Sequence, residues 1–460
     1  MIDSILLHNF KSWQHVGPMR LAPLTGLFGT NSSGKTSLMQ FLLMLKQTAE
    51  SPDRNLVLEL GDTRSLVELG TFRDVVHQHD VAKTLQWRLG WKLREPMTVV
   101  DPRALSSVLL NGDAIEYAAS VRWERNGSSA SGRMTVANMI YRFADAEFGM
   151  RPLADHPGEY ELTSTHKRGT FKRVKGRAWN LPQPAKCYGF PDQVRAYFQN
   201  AAFLSDFELA FEKLAASIYY LGPLREYPKR EYPWGGSQPT DVGRRGERVV
   251  EALLASRDQG VLYSLGRGKR RKALDEVVAM WLKDLGLIDS FEVRPIVSGG
   301  KLFQVWVRRQ PGAQEVLLTD VGFGVSQILP VIALCYYVPE GSTVLLEQPE
   351  IHLHPRVQAG LADVLIEAVK SRNVQVIVES HSEHLLRRLQ RRIAEEKLQP
   401  EETALYFCEV QAGVSHLTTL RVDLYGNIEN WPEGFFGDDF GEIAETQRAI
   451  LRRRRGSAKK

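Results

Sequence analysis

The sequence predicts an α/β protein: a mixed, mostly parallel sheet flanked by helices, interrupted by a β-rich insertion and then a helical segment. Three observations predict it. Short apolar runs alternate with helical stretches at both ends of the chain, as in a parallel sheet with helical crossovers. Between about Thr84 and Arg177, runs such as Thr84–Leu89 and Ala118–Trp123 are separated by polar turns, which suggests antiparallel strands. From Asp192 to Leu214 the period changes, with Val194, Tyr197, Phe198 and Ala201 three or four apart, as on one helix face.

Composition sets the outer bounds. The 460 residues are 43% hydrophobic and 25% charged, enough for two or three substructures in an ordinary soluble chain. No apolar run reaches the ~18 residues of a membrane span. Met1–Ile5 carries no signal-peptide pattern, so a cytoplasmic protein without membrane contact is expected. Cys187, Cys335 and Cys408 are too few and scattered for a disulfide framework or a zinc site. A net charge of +5 is compatible with nucleic acid but does not diagnose it.

In chain order, Ile5–Trp13 reads as a strand turning at Lys11–Ser12, and Leu21–Phe28 as a short buried strand entered past Pro23. Gly29-Thr30-Asn31-Ser32-Ser33-Gly34-Lys35-Thr36-Ser37 then fits G-x-x-x-x-G-K-[ST]. Gly29 and Gly34 let the backbone turn tightly and approach a phosphate. The amides of Ser33, Gly34, Lys35 and Thr36 can converge on it as a nest. Lys35 adds a point charge and Thr36 a hydroxyl for Mg²⁺. The apolar stretch Ser37–Lys46 continues as a helix whose positive end faces the same anion. Strand, Gly-rich loop and helix together are the context this motif requires.

Leu66–Val76 follows at the distance where a γ-phosphate sensor often sits, and Gln78 is a candidate by residue type alone. Ile218–Pro223 is a strand ending in a turn. Val249–Ser256 and Ala273–Leu285 read as helices. No heptad pattern persists, so no long coiled coil is expected. Asp320–Gln327, with Gly322, Gly324 and Ser326, precedes an apolar helix over Ile328–Val338, and Pro330 is expected near its first turn. Thr343–Glu347 is a buried strand ending in a carboxylate, Arg356 to about Lys370 a helix, and Val374–Val378 a second buried strand before Glu379-Ser380-His381-Ser382. Thr403–Val410 and Val414–Val422 read as strands. The expected segments are 1–83, 84–216, 217–400 and 401–460.

Several basic clusters stand out. One joins Arg225, Lys229, Arg230, Arg244, Arg245 and Arg248 with Tyr227, Tyr232 and Trp234. Others are Arg267–Lys272, then Arg387, Arg388, Arg391 and Arg392 on a helix, then Arg452–Arg455 with Lys459 and Lys460. Each can be a solvated face or tail. The first, with its aromatics and glycines, can also bind phosphate of a nucleotide or nucleic acid.

Phosphate loop, Gly/Ser signature, acidic strand end and a His after the next strand stand in one order. This order resembles the ABC-type ATPases, and within them the RecF/SMC/OLD-like branch often filed under AAA ATPases. Asn9-Phe10-Lys11-Ser12 resembles that branch's entry strand, and Glu347-Gln348-Pro349-Glu350-Ile351-His352-Leu353-His354-Pro355 its E-x-P-E-x-H-L-H-P Walker B. Gly426-Asn427-Ile428-Glu429-Asn430-Trp431-Pro432-Glu433-Gly434-Phe435-Phe436 is similar to the closing motif of a bacterial subgroup. The resemblance covers about 1–76 and 217–440 and leaves the β-rich insertion aside.

The resemblance implies ATP and Mg²⁺ as ligands. Lys35 and Thr36 would bind phosphates and Mg²⁺, with Glu347 holding the metal through water. Gly322, Gly324, Ser326 and Gln327 would contact the γ-phosphate of a nucleotide held by a partner subunit, and His381 would be the switch histidine. His352 and His354 have a metal-like spacing, but a structured turn is the simpler reading. The position of the catalytic glutamate holds Gln348, which orients water but cannot take its proton. Glu350 or His381 would then assist, or hydrolysis is slow. A slow ATPase suits a sensor or scaffold in bacterial anti-phage defence, similar to the ATPase subunits of PARIS and Septu systems. Such a protein would act as a dimer or higher oligomer and control a separately encoded effector. The alternatives are a RecF-like DNA repair ATPase, with nucleic acid as a partner, and a transporter ATPase. The short stretch after His381 holds no D-x-D cluster of the kind a fused nuclease would need.

Overall fold

The computed structural model describes residues 1–100, 108–125, 132–166, 171–266, 268–432, 447, 448 and 450. Glu433–Phe436 of the closing motif, Arg267, and the basic residues Arg452–Arg455, Lys459 and Lys460 lie outside the described residues.

Three sheets organise the chain. A six-stranded sheet has the order Val414–Leu420, Thr403–Gln411, Leu24–Gly29, Gln375–Glu379, Thr343–Glu347, Ile218–Leu221. Its pairings are parallel except at the Val414–Leu420 edge. Side chains alternate across it with period two. Leu27, Leu345, Ile377 and Tyr406 enter one core, while Phe28, Leu346, Val378 and Phe407 enter another.

The helix Lys35–Glu50 is sunk in the first core. It buries Leu38, Met39 and Phe41–Leu45. A helix apolar on all sides is one enclosed on all sides, and here the covering layer is a seven-stranded antiparallel sheet. Its order is Trp13–Arg20, Ile2–Phe10, Leu85–Val100, Val108–Arg125, Gly132–Phe143, Ala146–Pro152, Tyr160–Ser164. Helices Asp192–Tyr197 and Leu204–Ala216 close the same core through Phe207 and Phe211, which meet Tyr141 and Tyr117 ring to ring. A small four-stranded antiparallel sheet, built on Ser290–Pro295 and Leu302–Arg308, belongs to the second core.

Two expectations need correction. The sheet content is not mostly parallel: among the described residues, antiparallel pairings outnumber parallel ones. The cause is that the β-rich stretch does not stand apart. Ile2–Phe10 pairs directly with Leu85–Val100, so the first hairpin and the strands after residue 84 form one sheet of sequence neighbours. Strands adjacent in sequence pair antiparallel because a short turn suffices.

The second correction concerns Pro330. The helix begins at Phe323 and runs to Tyr337, so Pro330 lies in its interior and not near its first turn. Residues of the Gly/Ser signature form the first turn themselves. Pro330 lacks the amide that would bond the Ser326 carbonyl, and its ring fills the space beside Gly246.

Candidate nucleotide site

The carboxyl ends of parallel strands are where open α/β sheets bind ligands. The phosphate loop leaves the six-stranded sheet there. Gly29 has φ 136°, and a Cβ on it would lie 1.9 Å from the Cys408 carbonyl oxygen. Gly34 has φ 88° and caps the helix Lys35–Glu50 without a side chain across the helix end. A Cβ there would meet Trp13, Ser12 and Ser415 at 2.7–2.8 Å. The loop is therefore clasped from behind by the first and last hairpins. Trp13 Nε1 donates to the Gly34 carbonyl at 3.0 Å, Ser415 Oγ to Ser12 Oγ at 2.7 Å, and Thr30 N to the Cys408 carbonyl at 3.3 Å. Its front, Thr30, Asn31 and Ser32, is exposed, with Ser32 at φ 59°; Ser33 is buried and Ser37 half-buried.

Lys35 is buried, and Nζ donates to the Thr30 carbonyl at 2.7 Å, the Gly29 carbonyl at 3.2 Å and Ser33 Oγ at 3.3 Å. Burial holds its pKa below the ordinary lysine value, against the attraction of Glu379. Thr36 Oγ1 donates to Glu379 Oε2 at 2.8 Å. The carboxylate beside Thr36 is thus Glu379, not Glu347.

Glu347 and Glu379 end adjacent parallel strands in register. Glu347 Oε2 accepts from the Tyr220 hydroxyl at 2.6 Å. Burial pushes both carboxyls above the ordinary range, and the charge of Glu379 raises Glu347 further. Gln348 follows with φ 42°; its amide donates to the Glu379 carbonyl at 2.9 Å, and its carboxamide also bonds the Glu379 carboxylate. Glu350 is buried; its Oε1 accepts from the His381 amide at 2.7 Å, and its Oε2 has no partner. Burial raises this carboxyl as well. The half-buried His381 ring titrates below its ordinary value, first through burial and then through Lys35, while a bond to the Gly29 carbonyl opposes both. Lys35, Thr36, Glu347, Gln348, Glu350 and His381 thus gather at one end of the sheet.

The signature residues lie elsewhere. Ser326 is 7% exposed, and its hydroxyl donates to the Phe323 carbonyl at 2.9 Å. It lines a cleft with Tyr227, Tyr232, Gly246 and Pro330. Among the described residues no hydrogen bond joins Gly322, Gly324, Ser326 or Gln327 to the phosphate loop. Gly322 and Phe323 are exposed at the helix start.

Sequence reasoning missed Glu379. The signal was present: Val374–Glu379 is an apolar strand ending in Glu, as is Thr343–Glu347. The His-x-His spacing has a local explanation, since His354 caps the helix Pro355–Arg372 by accepting from the Arg356 amide. Gln78 is exposed and accepts from Lys83 at 2.8 Å.

The basic clusters are largely paired within the chain. Arg388 and Arg392 bind Asp363, Arg391 binds Glu395, and Arg387 pairs with Glu383 while lying 4.7 Å over Trp431. Arg230 pairs with Asp320, Arg245 with Glu226, Arg248 with Asp241 and Lys269 with Glu367. Arg244 donates to the Ser65 carbonyl.

Comparison with known proteins agrees with the motifs. Residues 224–387 match the family described as "AAA domain, putative AbiEii toxin, Type IV TA system". The matched region holds the signature, Glu347 and His381, and the match begins beyond the phosphate loop. Residues 398–445 match a family of unknown function, DUF3696. Among solved structures, an SMC head bound to the C-winged helix domain of ScpA is 12% identical, with 91% of this chain and 98% of that chain covered and a TM-score of 0.46. The SMC head domain from Thermotoga maritima is 13% identical, with 92% and 99% covered and a TM-score of 0.40. An SMC head from Pyrococcus furiosus, bound to the C-terminal domain of ScpA, is 11% identical, with 91% and 96% covered and a TM-score of 0.41. No curated protein matches the chain in sequence. No helix among the described residues is long and apolar enough to cross a membrane.

Proposed function

We propose that the chain binds Mg²⁺–ATP and hydrolyses it slowly, as a switch of the AAA/ABC type. One observation carries this reading: a phosphate loop with a buried lysine opens onto the buried Glu379, the half-buried Glu347 and a histidine at the carboxyl end of parallel strands. The residues fit the ligands. Amides 33–36 and Lys35 suit phosphate oxygens. Thr36 with Glu379 and Glu347 offers the all-oxygen donor set that Mg²⁺ prefers, and a cation there would relieve the mutual repulsion of the two carboxylates. When bound, Mg²⁺ neutralises phosphate charge and fixes the geometry of the terminal phosphate.

Gln348 is tied to Glu379 and so positions water without accepting its proton. Glu350, with a raised pKa and one unpartnered oxygen, is the base. Gly322, Gly324, Ser326 and Gln327 complete the site of a second copy. Turnover measurements test these roles. Glu350→Gln should lower kcat by roughly 10²–10⁴-fold, the usual worth of a general base. Gln348→Glu should leave turnover near wild type or raise it. Full activity in Glu350→Gln would place the base elsewhere.

We further infer a sensor or scaffold role in bacterial anti-phage defence, with a separately encoded effector held or released by the nucleotide state. The toxin–antitoxin descriptor of the matched family supports a two-component arrangement. The internal pairing of the basic clusters leaves less free positive charge for the alternative, a RecF-like repair ATPase on DNA. Co-expression with the neighbouring gene product should give a complex whose size changes on adding ATP. An ATP-indifferent chain that binds DNA tightly instead would reverse the choice.

A further inference from the structure

We propose that Arg225 is a built-in ligand for the terminal phosphate, making the site selective for triphosphate over diphosphate. The inference rests on the Mg²⁺–ATP reading and goes beyond it. The strand Ile218–Leu221 borders Thr343–Glu347, and the chain then passes through Gly222-Pro223-Leu224 to Arg225. Gly222 N donates to the Arg244 carbonyl at 2.8 Å, which fixes the turn.

Arg225 differs from the arginines near it. Arg230, Arg245 and Arg248 reach the surface and have carboxylate partners. Arg225 is 7% exposed, and its Nε and Nη1 have no hydrogen-bond partner. Burying a cation whose Nε and Nη1 lack hydrogen-bond partners is costly. Glu347 and Glu350 attract the guanidinium electrostatically. Yet Glu347 Oε2 is taken by Tyr220, Glu350 Oε1 by the His381 amide, and Glu350 Oε2 is itself unpartnered. A planar donor fork beside these carboxylates therefore waits for an anion with several oxygens, and phosphate matches that fork.

The position selects which phosphate. Lys35 and amides 33–36 lie on the loop side and suit the inner oxygens. Arg225 follows the edge strand beyond Glu347, on the side away from the loop, so a triphosphate reaching from the loop toward Glu347 would bring its terminal phosphate nearest. It is a binding residue for the triphosphate; the loop alone would hold a diphosphate.

The test is binding, without turnover. Affinities for ADP and for an ATP analogue with a non-hydrolysable β,γ-bridge are measured with Mg²⁺ in wild type, Arg225→Gln and Arg225→Lys. Arg225→Gln should weaken the triphosphate analogue by about 10–100-fold, the worth of charged hydrogen bonds, and change ADP affinity by less than about threefold. Arg225→Lys keeps the charge, loses the fork and should fall between. An equal loss for both nucleotides, or no loss for either, would show Arg225 to be only a counter-ion of Glu347 and Glu350 and overturn the proposal. Should Arg225→Gln not fold, as judged by its melting, Arg225→Lys decides alone on the same ratio. Wild type binding neither nucleotide would instead defeat the Mg²⁺–ATP reading, and this inference with it.

Discussion

Replacing Lys35 by alanine is expected to weaken Mg²⁺–ATP binding by about 10²–10⁴-fold and to abolish turnover. The ammonium is buried within the loop, 2.7–3.3 Å from two carbonyls and a hydroxyl. It is thus held where phosphate oxygens would replace those partners. Each charged hydrogen bond is worth ~1.5–3 kcal/mol; two of them give ~3–6 kcal/mol, which converts to the stated loss. Alanine leaves the glycine turns and the helix start unchanged, so the variant should retain the backbone of the loop. Calorimetric titration with ATP decides. A variant that folds as wild type does, binds ATP with unchanged affinity and turns it over would remove the phosphate loop from the function.

The second large effect is complementation between dead variants. In the proposed arrangement each nucleotide lies between Lys35 of one copy and Gly322–Gln327 of another. The structure chooses the lesion for the second element. Ser326 is buried and bonded to Phe323, so a large side chain there would disturb the helix itself. Gly322 is exposed, has φ −58°, and a Cβ on it would meet nothing within 4 Å. Gly322→Glu should therefore fold normally while placing a negative charge against the partner's triphosphate. Lys35→Ala and Gly322→Glu should each be inactive alone. In a mixed dimer both lesions fall on one site and the other is intact. Random mixing in equal amounts should then restore roughly a quarter of wild-type activity for two independent sites of a symmetric dimer. Mixed dimers that form and stay inactive would disprove the shared site.

The local parts of this site were legible in the sequence, because each is a short motif with its own backbone logic. Gly29–Ser37 needs only a strand before it and a helix after it. Thr343–Glu347 is bounded in the structure as the apolar run bounds it in the sequence. What could not be read were the partners that long-range pairing supplies. Thr36 meets Glu379 across 343 residues, and Tyr220 meets Glu347 across 127. The isolation of Arg225 was invisible, since by composition it belongs with its exposed neighbours. Pro330 was misplaced because proline usually marks a helix start, and tertiary packing against Gly246 outweighed that preference here. The parallel character held for the six-stranded sheet but not for the whole chain. Polar turns between strands showed hairpins, yet gave no sign that those hairpins continue the first one.

The clasp behind the phosphate loop also has a meaning for synthesis. The strand Leu24–Gly29 leaves the ribosome long before both its neighbours, Gln375–Glu379 and Thr403–Gln411. At a translation rate of ~5–20 residues per second, the wait is on the order of tens of seconds. During that time the strand Leu24–Gly29 lacks both its sheet neighbours, although the antiparallel sheet that covers the helix Lys35–Glu50 has already been made. Such late, non-local pairing slows folding and exposes sticky surface. The clasp of the phosphate loop is complete only once Cys408 and Ser415 have been made.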